Sequence, residues 1–498
     1  MLFSELLRGV EVLDSGGDLN VRVAGLAYDS RQVAADYLFV AIEGFNTDGH
    51  AFIAQAARQG AAALVLAKPP ALAAGPAWVR VRDSRQALAR LAANYYGDPG
   101  QKLRLVGVTG TNGKTTATNL LAAVFEAARR KVGLLGTIHN RIGARIIPGS
   151  HTTPESKELQ ELLNTMVEAG TELCVMEVSS HALALRRVEG CEFDLAVFTN
   201  FTRDHLDFHQ TMENYLAAKL KLFEELKTPG QKGNQKQAVI NADDAQAAAF
   251  IKAAQSAGAR VRTYGVKATA DVTATGIEIK PEGVGFTIKE KQGVYPIKLQ
   301  LTGLFNVYNA LAAFTAGTLM GVEAKVVIAA LEGVAAVPGR FASVKAGQDF
   351  LVIVDYAHTP DGLENTLKTA RCLTTGKLIL VYGCGGDRDR GKRPLMGRIA
   401  AQYSDYQIIT ADNPRSEAQS AIAADILAGV REIAQPGAYS TEPDRREAIN
   451  QAIARAGAGD LVLVAGKGHE AYQLIGGVSH PFDDTQEALK ALRKTGGG

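Results

Sequence analysis

Apolar residues along this chain fall in short runs, each ending at a polar or glycine-rich loop and separated from the next by stretches of helical spacing. Leu103-Arg-Leu-Val-Gly-Val108, Leu173-Cys-Val-Met176, Leu195-Ala-Val-Phe198, Phe350-Leu-Val-Ile-Val354, Leu378-Ile-Leu-Val381, Tyr406-Gln-Ile-Ile409 and Leu461-Val-Leu-Val464 all read as strands. Strands alternating with helices predict an α/β fold built on mostly parallel sheets. In such sheets ligands bind beyond the carboxyl ends of the strands, so the loops after these runs are where chemistry is expected. Two breaks divide the pattern. One is the turn-rich Gly97-Asp-Pro-Gly100, and the other is Val337-Pro-Gly339, which follows a long alanine-rich helical stretch. They predict three domains, over residues 1–98, 99–337 and 338–498.

A length of 498 residues suits that division at about 150 residues per domain. With 54 Lys and Arg against 52 Asp and Glu, the net charge is only +2, so composition gives no footprint for nucleic acid. No run approaches the roughly 20 apolar residues of a membrane span. Met1-Leu-Phe-Ser-Glu5 carries an acid where a secretory signal carries basic charge, which predicts a cytoplasmic protein. The four cysteines, Cys174, Cys191, Cys372 and Cys384, form no C-x-x-C pair and are expected to be free thiols.

The strongest chemical signal is Thr109-Gly-Thr-Asn-Gly-Lys-Thr-Thr116, between a strand and a helix. Glycines let backbone N–H groups approach phosphate oxygens, the helix N-terminus favours negative charge, Lys114 reaches the terminal phosphates and Thr115 suits Mg²⁺. The strict G-x-x-x-x-G-K-[ST] spacing is not met, since Val108 stands where its first glycine belongs. Met176-Glu-Val-Ser-Ser-His181 and Thr199-Asn-Phe-Thr-Arg-Asp-His-Leu-Asp207 also follow strands and deliver Glu177 and His205 to the same sheet edge. A carboxylate and an imidazole there suit the shell of a metal held by nucleotide phosphates. Tyr215, Lys219, Leu222 and Phe223 share one helix face, a spacing that by itself fits a core-facing helix with a snorkelling lysine. Asp387-Arg-Asp-Arg390 by itself reads as a solvated charged loop.

Together, the phosphate loop, Glu177-Val-Ser-Ser-His181, Asn200-x-x-x-Asp204-His205, the Lys219 helix, Gly303-Leu-Phe-Asn-Val-Tyr-Asn309, Pro338-Gly-Arg340 and Asp355-Tyr-Ala-His358 resemble the Mur ligase family. These are ATP-dependent amide-forming enzymes of peptidoglycan synthesis. The resemblance runs in one order over almost the whole chain. It implies an N-terminal UDP-binding α/β domain, a central P-loop ATPase-like domain and a C-terminal Rossmann-like domain for the incoming amino acid. Tyr28-Asp-Ser-Arg31 and Leu38 to His50 resemble the members that add the third stem-peptide residue. Gly383-Cys-Gly-Gly-Asp-Arg-Asp-Arg-Gly-Lys-Arg-Pro394 and Asp412-Asn-Pro-Arg415 resemble the form that takes meso-diaminopimelate. A guanidinium fork suits the second carboxylate that distinguishes this amino acid from lysine.

The resemblance implies the following sites. Lys114, Glu177, His205 and Lys219 are catalytic. Gly110, Thr111, Asn112, Gly113, Lys114, Thr115, Thr116, Asn306, Arg340 and Asp355, with His358 nearby, bind ATP. Tyr28, Ser30, Phe45, Asn46, Thr47, Thr152, Thr153, Ser179 and Arg187 bind the UDP-muramoyl dipeptide. Arg388, Asp412, Asn413, Pro414, Arg415, Gly466 and Glu470 bind diaminopimelate. Thr115, Glu177, His205 and Lys219, the last as a CO₂-derived carbamate, hold Mg²⁺. Leu185 and His151 depart from the family pattern, which often has glutamine and asparagine there. The expected partners are these small molecules alone, with no nucleic acid, no membrane insertion and a monomeric chain. A folylpolyglutamate synthase would share the ATP machinery but not the N-terminal segment, and a nucleotide switch would have no use for Glu177, His205 and Lys219.

Overall fold

The computed structural model describes residues 1–498 except 45–46, 70–74, 150, 228–229, 231 and 496–498. Three main sheets follow one another along the chain. In the first, Gly25–Ala27, Tyr37–Val40, Ala63–Leu66 and Ala77–Val81 run parallel, and Val12–Gly16 closes one edge antiparallel. The C-terminal sheet has the order Ala342–Ser343, Leu351–Asp355, Leu461–Ala465, Leu378–Tyr382, Tyr406–Ile409 and Tyr439–Thr441, parallel except for its first short strand. A separate hairpin, Tyr472–Ile475 with Val478–Pro481, stands beside it. Cys174, Cys191, Cys372 and Cys384 are unbonded thiols.

The central sheet has eleven strands, with Arg104–Thr109 in the middle of its parallel part, between Leu173–Glu177 and Leu195–Phe198. Its strands are apolar on both faces because both are covered. Val106, Val108 and Val175 point into a core shared with helices Lys114–Ala127, Leu304–Leu319 and Ala324–Gly333. Leu105, Cys174 and Met176, one residue out of phase, point to helices Ser156–Glu168, Met212–Glu224 and Ala247–Ser256. Each buried Val or Leu contributes about 1.5–3 kcal/mol, so the two faces together fix the register of the strand that carries the phosphate loop.

Two features differ from the sequence-based expectation. The central sheet is extended by an antiparallel meander, Val272–Lys280, Gly283–Glu290 and Gly293–Leu299. The turn at Gly97 to Gly100 continues into a one-turn helix, Pro99–Lys102, started by Pro99 after Asp98 takes a left-handed conformation.

Candidate active site

Strand Arg104–Thr109 ends in the glycine-rich loop, and helix Lys114–Ala127 begins at Lys114. Gly110 has φ +149°, and a Cβ there would lie 1.9 Å from Thr199 Oγ1, so only glycine fits. The loop is braced from the neighbouring strand end: Thr111 N donates to Asn200 O at 2.8 Å, Asn112 N donates to Asn200 Oδ1 at 2.9 Å, and Thr199 Oγ1 donates to Asn112 O at 2.6 Å. Thr115 and Thr116 are buried in the first helical turn.

Two lysines converge on one backbone oxygen. Lys114 Nζ and Lys219 Nζ donate to Gly110 O at 2.9 and 2.7 Å. Lys219 is only 1 % exposed, so it does not snorkel, as its helical spacing alone suggested. Its ammonium lies 4.6 Å from the centroid of the Tyr215 ring. Burial, reinforced by the positive charge of Lys114 and opposed by Asp204, holds the Lys219 amine well below its ordinary pKa. Lys114 is shifted down by burial too, with Glu177 and Asp204 opposing.

Glu177 ends its strand 1 % exposed, and its carboxylate accepts from Thr115 Oγ1 (3.0 Å), Thr137 N (2.8 Å) and Thr137 Oγ1 (3.0 Å). His205 begins a short helix with φ +55° and faces Asp204, Nε2 to Oδ2 at 3.2 Å. Burial pushes the His205 imidazole well below its ordinary pKa, with Asp204 opposing and His181, Lys114 and Lys219 adding to the effect. Asp204 is held well below the carboxylate range: burial would raise it, but His205, Lys392 and His358 outweigh that.

The C-terminal sheet meets this loop across a cleft. Arg340 Nη2 donates to Thr115 Oγ1 at 2.7 Å, Asn112 Nδ2 donates to Asp361 Oδ2 at 2.9 Å, and Arg203 pairs with Asp389 at 3.3 Å. Asp355 ends strand Leu351–Asp355 and accepts from Phe341 N, Ala357 N and Thr366 Oγ1, while burial raises its pKa. His358 Nδ1 bonds Tyr356 O. Asn306 is buried in helix Leu304–Leu319, donating to Thr302 O and accepting from Asn309, whose Oδ1 approaches Gly113.

The loops after the C-terminal strands gather a second group of residues. Arg415 has φ +54° and is clamped by the hairpin, with Arg415 N donating to Leu474 O at 2.9 Å and Gly476 N to Arg415 O at 2.7 Å. Its Nη1 donates to Gly386 O at 2.7 Å. Asn413 Nδ2 donates to Glu470 Oε2 at 2.8 Å, and Asp412 Oδ2 lies against Gly466. Pro414 is buried. Arg388 is exposed, whereas Asp387, Asp389 and Arg390 of the same charged loop are tied to Ser416, Arg203 and Asp425.

The residues matched to the UDP substrate fall into two groups. Thr152 Oγ1 lies 3.0 Å from Thr137 Oγ1, Thr153 Oγ1 donates to Glu177 O at 2.8 Å, and Ser179 N donates back to Thr153 Oγ1 at 3.0 Å. Arg187 Nη1 donates to Thr153 O at 3.1 Å, so these four stand directly beside Glu177. Tyr28, Ser30 and Thr47 lie in the segments that follow strands Gly25–Ala27 and Tyr37–Val40 of the N-terminal sheet. Tyr28 OH donates to Glu158 Oε2 at 3.1 Å, Ser30 Oγ donates to Gln55 Oε1 at 3.4 Å, and Thr47 O accepts from Gly44 N. Phe45 and Asn46 lie outside the described residues.

Thr137 and Lys467 were missed from the sequence, although both follow apolar strands at the carboxyl edge. Away from the cleft, Glu43, Asp48 and His50 bring ligand atoms within 4.8 Å of one another. Lys68 Nζ already sits 2.6 Å from Glu43 and 2.8 Å from Asp48, supplying the cation itself.

A glycine-rich loop between strand and helix, facing charged loops from a second sheet, is the arrangement of a nucleotide-dependent ligase. The chain belongs to the Mur ligase family. Its residues 22–96 match the Mur ligase family catalytic domain, 108–317 the Mur ligase middle domain and 339–468 the Mur ligase glutamate ligase domain. It is 46% identical over 495 residues to the UDP-N-acetylmuramoyl-L-alanyl-D-glutamate--2,6-diaminopimelate ligase of Caldanaerobacter subterraneus subsp. tengcongensis, covering 99% of this chain and 100% of that one. It is 44% identical to the protein of that name from Geobacter sulfurreducens, covering 100% of both. A solved structure of a ligase with the same name superposes with a TM-score of 0.69 at 35% identity, over 100% of this chain and 99% of that one. A folylpolyglutamate synthase from Mycobacterium tuberculosis shares the fold, with a TM-score of 0.66 at 18% identity over 83% of this chain and 94% of that one.

Proposed function

We propose that this chain couples ATP to amide-bond formation, joining meso-2,6-diaminopimelate to the γ-carboxylate of D-glutamate in UDP-N-acetylmuramoyl-L-alanyl-D-glutamate for peptidoglycan synthesis. The observation that carries the reading is the meeting of loops from the central and C-terminal sheets. The phosphate loop, Glu177 and Lys219 lie on one side, and Arg415, Asn413 and Glu470 are held by loops of the second sheet on the other. Similarity at 44% and 46% identity along the whole chain supports the same reaction.

The γ-carboxylate must attack the terminal phosphate of ATP although both are anions, so catalysis is mostly positioning and charge neutralisation. Lys114, Arg340 and the N-terminus of helix Lys114–Ala127 supply positive charge at the phosphates. Arg187, beside Thr153 and Ser179, orients the dipeptide. Carboxylate attack gives an acyl phosphate and ADP. The amine of diaminopimelate then forms the C–N bond, loses a proton and expels phosphate. Arg415 faces the distal carboxylate and Glu470 the distal ammonium.

The donors fit Mg²⁺ in part as they stand. Thr115 and Glu177 offer hard oxygens within 3.0 Å of each other, and the His205 imidazole is held below its ordinary pKa, which suits a ligand nitrogen. The depressed Lys219 amine suits addition to CO₂, which forms an N–C bond, releases one proton and turns a neutral amine into an anionic oxygen ligand. Thr115, Glu177, His205 and carbamylated Lys219 would hold the metal, which supplies charge neutralisation at the phosphates. Residues 1–98, 99–337 and 338–498 divide the work among UDP substrate, ATP and amino acid. One chain contributes all three sites, which supports a monomer. Among the described residues no helix is long and apolar enough to cross a membrane, in keeping with work on precursors in the cytoplasm.

The test is phosphate release from ATP with the UDP-dipeptide, comparing meso-diaminopimelate with L-lysine for wild type and Arg415→Ala. Strong preference for diaminopimelate, lost on substitution, is expected. Equal use of lysine by the wild type would overturn the specificity, and absence of turnover with either amino acid would overturn the ligase reading.

A further inference from the structure

Beneath the proposed amino-acid site lies a fully buried cation, Lys467, to which the reaction assigns nothing. Its Nζ donates to Asn413 Oδ1 at 3.2 Å and to Glu470 Oε2 at 3.0 Å. Asn413 Nδ2 donates to that same Glu470 oxygen at 2.8 Å, which closes a ring of three side chains. Leu474 N also donates to Asn413 Oδ1, at 2.9 Å, so two donors fix which way the carboxamide is turned. Among the described residues, Glu470 Oε1 receives only the Tyr356 hydroxyl, at 3.2 Å, and keeps acceptor capacity. Lys467 is 0% exposed and Glu470 18%, so the lysine is sealed inside the protein while part of the glutamate remains accessible.

A buried ammonium is costly unless paired, and a position needing only packing is as well filled by an apolar chain of similar volume. Here the charge organises its neighbours. It saturates one Glu470 oxygen, leaves the other for an incoming ammonium, and locks the donor face of Asn413. It also places a buried positive charge beside Asn413 and Glu470, which favours an amino-acid end bearing a carboxylate over a bare ammonium.

We propose that Lys467 is a positioning residue that fixes Asn413 and Glu470 as one unit and sets the preference for an amino acid whose distal end carries both ammonium and carboxylate. This rests on the reading of the amino-acid site given above.

The experiment is steady-state phosphate release by the full chain with each of the three substrates varied in turn, for wild type, Lys467→Met, Lys467→Gln, Glu470→Gln and the Lys467→Met/Glu470→Gln double variant. Lys467→Met is expected to raise KM for diaminopimelate about tenfold or more, the scale of coupling between side chains in contact. KM for ATP and for the UDP-dipeptide should stay within about threefold, and the diaminopimelate-to-lysine preference should narrow. In the Glu470→Gln background the same substitution should add little. An unchanged KM, an additive double variant, or a uniform loss across all three substrates would overturn the proposal. Lys467→Gln, which keeps a donor without the charge, carries the test if Lys467→Met does not fold. If Glu470→Gln and Arg415→Ala leave the KM for diaminopimelate untouched, the site reading fails first. If they raise it and neither Lys467 variant does, the fault lies with the role given to Lys467.

Discussion

Asp484→Ala should be among the most destabilising single substitutions in the C-terminal region. Asp484 opens the helix Asp484–Thr495 and accepts Arg445 Nε and Nη2, both at 2.7 Å, with both side chains 0% exposed. Each charge-assisted hydrogen bond contributes about 1.5–3 kcal/mol, and removing the acid strands a buried guanidinium. Arg445 keeps its bonds to Ala411 O at 3.3 Å and Ala465 O at 3.0 Å, which offset part of the loss. The expected cost is about 4 kcal/mol, inside the range of roughly 3–5 kcal/mol for breaking a buried pair. Glu432→Ala, which breaks the Arg398–Glu432 pair with partners 42% and 50% exposed, should cost no more than about 1 kcal/mol. The assay is amide hydrogen exchange of strand Leu461–Ala465 and helix Arg445–Arg455 in the intact chain, which reads local opening without requiring the three sheets to unfold together. Arg445→Met/Asp484→Leu should regain most of the loss. A cost below about 1 kcal/mol for Asp484→Ala, or a double variant as damaged as the single, would refute the reasoning.

Three further outcomes are expected. Lys219→Met should abolish phosphate release yet raise the melting temperature near neutral pH in CO₂-free buffer. The native fold holds the Lys219 amine well below its ordinary pKa, so the unfolded chain binds that proton more readily, the lysine's contribution to stability rises with pH, and the variant should lose that slope in melts taken across pH. Arg393 holds Glu417 down at about 2 from its ordinary 4.5, so the pair's contribution is full above pH 4.5 and fades as pH falls toward 2; Glu417→Gln should flatten that acid limb in thermal melts. Gly385→Ala would set a Cβ 2.8 Å from Arg415 Nη1, the movable end of a side chain. It should leave melting within about 1 kcal/mol of wild type while raising KM for diaminopimelate several-fold in the phosphate-release assay.

The strand runs and the phosphate loop were legible because continuous apolar segments and glycine-lysine turns report local demands. The hairpin at Tyr472 to Pro481 was equally legible in principle, since Gly476-Gly477 supplies the two positive-φ residues of a tight turn. The meander from Val272 to Leu299 was hidden because its half-buried strands lack the unbroken runs that mark the parallel core. Lys219 shows a different limit. Its spacing fits a snorkelling chain, and what buries it is a carbonyl 109 positions earlier, brought over by strand order. Arg340 reaching Thr115, and Lys467 beneath Asn413, likewise depend on sheets meeting or loops converging, which no window of sequence contains.

In the mechanism proposed above, the groups that make the bond and those that choose the amino acid are carried on different sheets, with the choosing groups on the loops of the C-terminal sheet around Gly385, Asp412 and Gly466. Changes in those loops can retarget the enzyme to another amino acid while the activating apparatus is inherited intact. A cell wall built with such a catalyst can therefore change the chemistry of its peptide without reinventing the energy-coupling step.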